Sequence, residues 1–600
     1  MALHGATLRL AVGQDASKGP ATTSELLQAA GGRRLLGRVV GDSRSGFQFQ
    51  PRDSANNPIA LERGSVVEFE SADPSVLAGL SPFHILLGID QKVSGRLEAV
   101  DETEVRFESG PSGRPLRVAR GGAQGLVQRP GETQVLSESF ESIDTTRWAQ
   151  TGQPSLAAEP RLVGEHSLRL PAGGSTLTYR VSDPVGAGRL EVGFFDTGER
   201  EPGQRWFVEL TFRSPTGLEP IRAVLGWDDS WLAVLSPQGP SLAVQRLARR
   251  PGWHRLVVRF DPERTELAVD GDELAHGGSP GGPLAEVRLG TQSLGSAAPK
   301  ASLAGYIDDL GLARLSEPVG GLEVDPSQDE LRLTGGDQLF GHLKSADPER
   351  LLFQIDGKDA MVGWNEVAGV YFRRAPAQSE PIEGLLVRLE WRAAGGNDPR
   401  DVDRIEGALA AVSNSAFTLQ TPYAGTLAIS RDRLLRLEVL GRGRRVVLDP
   451  SAHHLGDEVF NKQIKLDPPQ FEGPTLEVPF TLERVPPGRA FAVFDVVQVA
   501  GESDQLTNSA SIKKGELRTN LFLNGRQIDY LNRHVASKNE TPLRIRLPIP
   551  QGVLRTGRNM LKLEQVGTAK DPKFLDDIGV LHTALEFQAD SSGPPAQEIP

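Results

Sequence analysis

Three carboxylates stand close together in the stretch EVGFFDTGE, as Glu191, Asp196 and Glu199. Two carboxyl groups that work as acid and nucleophile, or acid and base, across one bond must project from the same face. Strand side chains alternate between faces. The spacings of five and three send Glu191 and Asp196 to opposite sides, so this stretch does not read as such a pair. A second polar group, His453 and His454 with Asp457 and Glu458, holds residue types that ligate metals. Adjacent histidines point apart on a strand, and the segment reads as a solvent-exposed linker. Trp227 and Trp231 flank Asp228, Asp229 and Ser230 near a hairpin tip. Flat aromatic faces beside carboxylates suit a sugar ring. The same spacing also suits a cross-strand aromatic pair that pins the hairpin. There is no cysteine, which excludes disulfides and thiolate metal sites. No G-x-S-x-G elbow is present. The triplet Asn539, Glu540, Thr541 fits a glycosylation acceptor.

The elements that must position these groups are short strands. The 66 glycines and 43 prolines among 600 residues are too many for a helical chain and mark frequent turns. The length suggests four to six domains as a prior. A glycine inside an apolar strand is followed twelve positions later by a bulky apolar residue in four places: Gly37 and Phe49, Gly95 and Phe107, Gly341 and Phe353, Gly407 and Leu419. A further apolar stretch closes each unit about thirty residues after its glycine. A small barrel must bend a strand sharply to close, and a residue without Cβ permits the bend and the close approach of the facing strand. The spacing therefore predicts one small β-barrel unit used four times, over 31–75, 83–132, 328–376 and 383–448.

The rest of the chain divides around these units. Residues 1–30 form an N-terminal extension with a predicted helix at Thr22–Ala30. Residues 135–315 and 470–590 read as β-sandwiches, 449–469 as a linker and 591–600 as a disordered tail. Asp270-Gly271 and Asn524-Gly525 predict two-residue hairpin turns.

The barrel units resemble SH3-like or Sm-like barrels in shape and spacing, without the base-stacking residues of the latter. Segment 135–315 resembles concanavalin-like or laminin-G-like jelly rolls. The matching residues are Phe140 and Glu141 with Trp148, the Trp253-His254 strand, the Val269-Asp270-Gly271 turn, and Tyr306 to Asp309. That resemblance implies two antiparallel sheets of six or seven strands. It also implies a structural calcium held by Glu141 with Asp308 or Asp309, oxygen ligands that suit a hard cation. Laminarinase-type glycosidases share this fold, and the chain lacks their E-x-D-x-x-E run. Segment 470–590 resembles galactose-binding-like jelly rolls, with Asn559 in a structural place after the loop LRTGRN. The whole resembles planctomycete-type exported proteins.

The fold class expected is all-β and multidomain: two jelly-roll sandwiches plus about four small SH3/Sm-like barrel units. The function expected is non-catalytic, with no enzyme activity: a cell-envelope or surface protein binding glycan or protein partners through Trp227, Asp228, Asp229 and Trp231. Alternatives are a self-assembling structural component, with a possible homo-oligomer, and a carbohydrate-active enzyme. No cofactor is expected beyond the calcium. A net charge of −12 argues against nucleic acid, which wants a basic face. The run Arg442, Arg444, Arg445 is the nearest basic candidate and reads as a solvated strand edge. No apolar stretch reaches the length of a membrane helix. The start lacks a charged signal-peptide region, and the location expected is extracytoplasmic.

Overall fold

The computed structural model describes residues 25–29, 32–42, 46–53, 57–69, 82–88, 91–109, 114–235, 241–294, 300, 302–316, 327–373, 381–393, 399–457, 471–502, 509–535 and 542–588. The triplet Asn539 to Thr541, the C-terminal tail and most of the N-terminal extension lie outside these residues. The chain is all-β and multidomain, and its strands fall into several antiparallel sheets.

Four five-stranded units share one pairing scheme. In the first, Glu25–Gln28, Arg34–Asp42, Gly46–Pro51 and Ile59–Ala60 pair in succession, and the fifth strand, Val66–Phe69, returns to the first. The same scheme joins the five strands from Phe83–Gly88 to Gly125–Gln128. It recurs from Asp329–Leu333 to Val367–Tyr371 and from Ile382–Arg392 to Leu434–Asp449. The glycine has a steric task in this scheme. A Cβ at Gly37 would overlap the carbonyl oxygen of Gln50, and one at Gly341 the carbonyl oxygen of Gln354. A Cβ at Gly407 would sit 2.7 Å from the carbonyl oxygen of Gln420. The second strand can cross the third this closely only without a side chain. The residue twelve positions on (Phe49, Phe107, Phe353 or Leu419) is fully buried beneath the crossing.

The units are not separate beads. Their fifth strands pair with one another: Gly125–Val127 with Gly369–Tyr371, and Val66–Glu68 with Arg436–Glu438. The apolar core runs without interruption from Leu27 to Val447 through all four. The segment expected as a helix at Thr22–Ala30 holds the strand Glu25–Gln28, which alternates buried Glu25 and Leu27 with less buried neighbours. Pairing on both edges outweighs the local helix preference of ELLQ.

Between the second and third units the chain builds a sandwich of a nine-stranded and a seven-stranded sheet around its own core. It enters and leaves at one place: Glu132 pairs with Leu315, and Ser316 N donates to Gly131 O at 3.0 Å. Its Asp270-Gly271 turn has φ of 52° and 85°, both left-handed as a tight hairpin requires. A second sandwich closes the chain. One of its sheets runs Thr475–Leu482, Gly557–Val566, Arg518–Leu523, Arg526–Tyr530. The other is continuous with the fourth unit, because strand Leu434–Asp449 pairs with Ile382–Arg392 along much of its length and with Ile578–Gln588 at its end. The stretch expected as an exposed linker contributes strand His453–Leu455, fully covered and paired with Ile578–Val580. Among the described residues no helix is long and apolar enough to cross a membrane.

Candidate functional site

Each sheet of the first sandwich has an outer face, and the two differ. Glu191 lies on the nine-stranded sheet, on the side away from the core residues Leu190 and Val192. That face is capped by the barrel units through charges. Arg96 of the second unit pairs with Asp309, which also takes Arg255 at 2.9 Å. Arg129 bonds to Glu132 and, at 2.7 Å, to Asp401 of the fourth unit, while Arg189 reaches Glu132 at 2.6 Å. Glu191 pairs with Arg189, and its Oε2 lies 3.9 Å from Arg255 Nη1. The cavity left here is about 30 Å³, and Glu191 is 4 % exposed beneath it. No sugar ring reaches Glu191. Asp196 is fully buried and accepts from Trp231 Nε1 at 2.9 Å and from Arg249, so the three sequence carboxylates are not brought together.

The seven-stranded sheet turns its outer face to solvent: the side chains of Arg180 and Arg288 are 81 % and 37 % exposed. Strand Gln204–Ser214 explains what it presents. Trp206, Val208, Leu210 and Phe212 point into the core. Their alternates Phe207, Glu209 and Thr211 therefore point outward. Glu209 is cross-strand from Arg222 on one side and Arg288 on the other. Its Oε2 accepts from Arg222 Nε at 2.8 Å, and its Oε1 lies 3.1 Å from Arg288 Nη1. The Arg222 guanidinium also lies over the Phe207 ring, 4.0 Å from its centroid, a cation–π contact, and donates to Gln292. Glu286 faces the same way one step along the neighbouring strand, opposite Thr211. Arg288 Nη2 lies 3.7 Å from Glu286 Oε2, so one guanidinium spans both carboxylates.

The sequence did not single out Glu209 and Glu286. The readable signal was the alternation WFVELTF, which predicts one face for Phe207, Glu209 and Thr211. Their partners come from strands Gly217–Gly226 and Leu284–Ser293, and no local spacing announces that pairing.

The residues that were singled out lie elsewhere. Trp227 and Trp231 are 2 % and 1 % exposed and belong to the sandwich core, with Trp231 edge-on to Phe194. They offer no stacking face. Asp229 is exposed, 3.5 Å from Arg200, and Asp228 pairs with Arg205 at 2.7 Å. Of these four only Asp228 borders the outer face just described, through Arg205. The three acids read as calcium ligands hold partners of their own. Asp308 Oδ2 accepts the amides of Leu162 and Val163 at 2.8 and 3.0 Å, and burial raises its carboxyl to about 7. Asp309 is turned towards Arg96 and Arg255. Glu141 holds the amide of Glu165 and the ring of His166. The two aspartates accept N–H donors and guanidiniums. No cluster of three potential metal ligands occurs among the described residues. His453 is clamped between Asp449 at 3.0 Å and Glu472 at 2.8 Å, while His454 faces Asp577 at 3.4 Å. Asn559 bonds Asn524 and the loop backbone at Arg555 and Gly557, a structural task.

No family model matches the chain, and no curated sequence matches it significantly. Among solved structures it is similar to a "Cellulose induced protein, Cip1", at 14 % identity over 31 % of this chain and 100 % of that one, with a TM-score of 0.24. It is similar to a beta-glucanase of Bacillus licheniformis at 12 % identity, over 30 % and 97 %, with a TM-score of 0.23. It is also similar to a GlcNAcα1-4Gal-releasing endo-β-galactosidase from Clostridium perfringens at 10 % identity, over 52 % and 98 %, with a TM-score of 0.26. At these identities and TM-scores the likeness goes no further than the β-sandwich architecture described above. Two of these three structures carry the names of glycan-cleaving proteins. Against these neighbours the expectation of a non-catalytic chain without enzyme activity is not kept.

Proposed function

We propose that this chain is a carbohydrate-active enzyme that hydrolyses glycosidic bonds on the outer face of the seven-stranded sheet. One observation carries the reading: Glu209 and Glu286 project from the same face of adjacent strands and are spanned by Arg288. Diagonal positions on neighbouring strands stand about 7–8 Å apart. The Arg288 guanidinium, 3.1 Å from Glu209 and 3.7 Å from Glu286, holds the two carboxyl groups on one face. Glu209, the more buried, takes the proton of the water as its oxygen bonds to the anomeric carbon. Glu286, the more exposed, is the second carboxyl group of the pair and faces the side where the glycosidic oxygen departs as that bond breaks. The half-buried Gln292 amide and the Arg288 guanidinium border the pair and supply hydrogen-bonding contact for the sugar. Polysaccharide substrates lie outside cells, which supports an extracytoplasmic location. The small barrels, SH3/Sm-like in spacing, and the closing galactose-binding-like sandwich are then the frame that carries this sheet.

The test is reducing-sugar release from a panel of β-glucans, galactans and mucin glycans. Wild type is expected to cleave one class. Glu209→Gln and Glu286→Gln are each expected to lower kcat by about 10²-fold or more, with Glu209→Gln also lowering the melting temperature because it leaves Arg222 and Arg288 short of a counterion. No release from any substrate, or full activity in both variants, overturns the reading.

A further inference from the structure

A basic cleft lies far along the chain from that face, where the first unit, the fourth unit and the closing sandwich meet. Arg442 and Arg444 are two apart on strand Leu434–Asp449 and so share a side. Arg445 points the other way into a buried network with Glu406 and Glu586. The turn carrying Glu62 and Arg63 is bound to this strand by Gly64 N to Val439 O and Val439 N to Ser65 O, both at 2.9 Å. Arg546 closes the far wall, 2.9 Å from Glu586. Arg63, Arg442, Arg444 and Arg546 line a cavity of about 220 Å³ with Glu62 and Glu586 as the acids among its lining residues. Glu586 is spent on Arg445 and Arg546. Among the described residues, Arg63, Arg442 and Arg444 make no ion pair, and Arg444 Nε is buried without a hydrogen-bond partner. Burial lowers the Arg546 pKa despite Glu586, and the charges of Arg63 and Arg445 add to that lowering. In a chain of net charge −12, a cleft with surplus guanidinium is a local reversal of sign.

We propose that this cleft binds an oxyanion substituent of an acidic polysaccharide, a sulfate ester or a uronate carboxylate. The guanidinium fork matches such oxygens in geometry and charge. The volume is below the roughly 300 Å³ at which sites for whole drug-sized ligands begin, so the cleft takes one substituted sugar and not a chain. A nucleic acid would need a longer basic track with stacking aromatics. That the oxyanion rides on a polysaccharide rests on the proposed function; that the cleft takes an oxyanion does not.

The test measures binding of the full chain carrying Glu209→Gln, which slows cleavage during the measurement. Calorimetric probes are a sulfated galactan, polygalacturonate, neutral laminarin, sodium sulfate and single-stranded DNA. One of the two acidic polysaccharides is expected to bind, more weakly as salt rises, and Arg442→Glu with Arg444→Glu is expected to weaken it about tenfold. If that double variant fails to fold, the exposed Arg442→Gln alone is expected to weaken it about threefold. Direct binding of sodium sulfate, lost in the arginine variant, with no polysaccharide binding would keep the oxyanion site and overturn the polysaccharide as its carrier. Equal binding of laminarin, tighter binding of DNA, or undiminished affinity in a folded arginine variant overturns the proposal. A chain that binds acidic polysaccharide here but cleaves nothing refutes the proposed function alone.

Discussion

Arg431 and Glu25 stand 406 residues apart in sequence and form a buried ion pair at 2.6 Å. Glu25 Oε2 also accepts the amide of Val39, and Arg431 Nη2 donates to the Val39 carbonyl. The same pattern recurs between the other two units. Arg120 meets Asp329 at 2.6 Å, Asp329 accepts the amide of Leu343, and Arg120 donates to the Leu343 carbonyl. Val39 and Leu343 each lie two residues after the crossing glycine, so each latch clamps the bent strand of one unit to the turn before the fifth strand of another.

Breaking a latch on one side leaves a buried charge without its counterion. Arg431→Met or Arg120→Met is expected to cost about 3–5 kcal/mol in denaturant unfolding. Replacing both partners, Glu25→Gln with Arg431→Met, is expected to cost less than the sum. Additive losses would show that the pair is not a unit.

The glycine crossings set a second expectation. Gly37→Ala and Gly341→Ala place a methyl group against a backbone carbonyl and are expected to cost at least about 1–3 kcal/mol. A Cβ at Gly121 meets nothing within 4 Å, and Gly121→Ala is expected to stay within about 0.5 kcal/mol. Equal melting temperatures for all three would remove the steric account of the repeat.

How much of this was legible follows from the same residues. The spacing of Gly37 to Phe49 could be read because one local steric demand imposes it wherever the unit occurs. The Asp270-Gly271 and Asn524-Gly525 turns were legible for a similar reason: both residues of each have positive φ, and few residue types tolerate that. The latches, the merged core and the Glu209–Glu286 pair join residues that only tertiary pairing makes neighbours. Trp227 and Trp231 misled because a tryptophan beside a DDS turn looks alike whether its face is wet or buried.

Trp227→Ala, on this structure, removes core. It is expected to destabilise the first sandwich by about 3–5 kcal/mol, seen as a lower unfolding midpoint. A variant of unchanged stability with lost glycan affinity would restore the exposed-platform reading.

Stability is expected to fall on the alkaline side. Burial disfavours charge on His453, but hydrogen bonds to Asp449 and Glu472 overcome it and raise its pKa from 6.5 to about 9. The folded state therefore holds this proton more tightly than the unfolded chain. The stabilisation is complete below about pH 6.5 and is lost as pH rises through about 9, on the order of 3 kcal/mol in all. Asp308, raised to about 7 by burial, acts with the same sign at lower pH. Melting temperatures from pH 6 to 10 should decline in wild type and flatten above pH 7 in His453→Gln. A level wild-type profile would contradict the clamp.

The first sandwich leaves the chain where it entered, at Gly131 and Ser316, whose backbones are hydrogen-bonded. A gene without the intervening codons would encode a polypeptide whose cut ends already touch, so the four-barrel body can have existed before it received this passenger. Cargo exchange at that junction, one jelly roll for another, would leave the carrier's latches untouched.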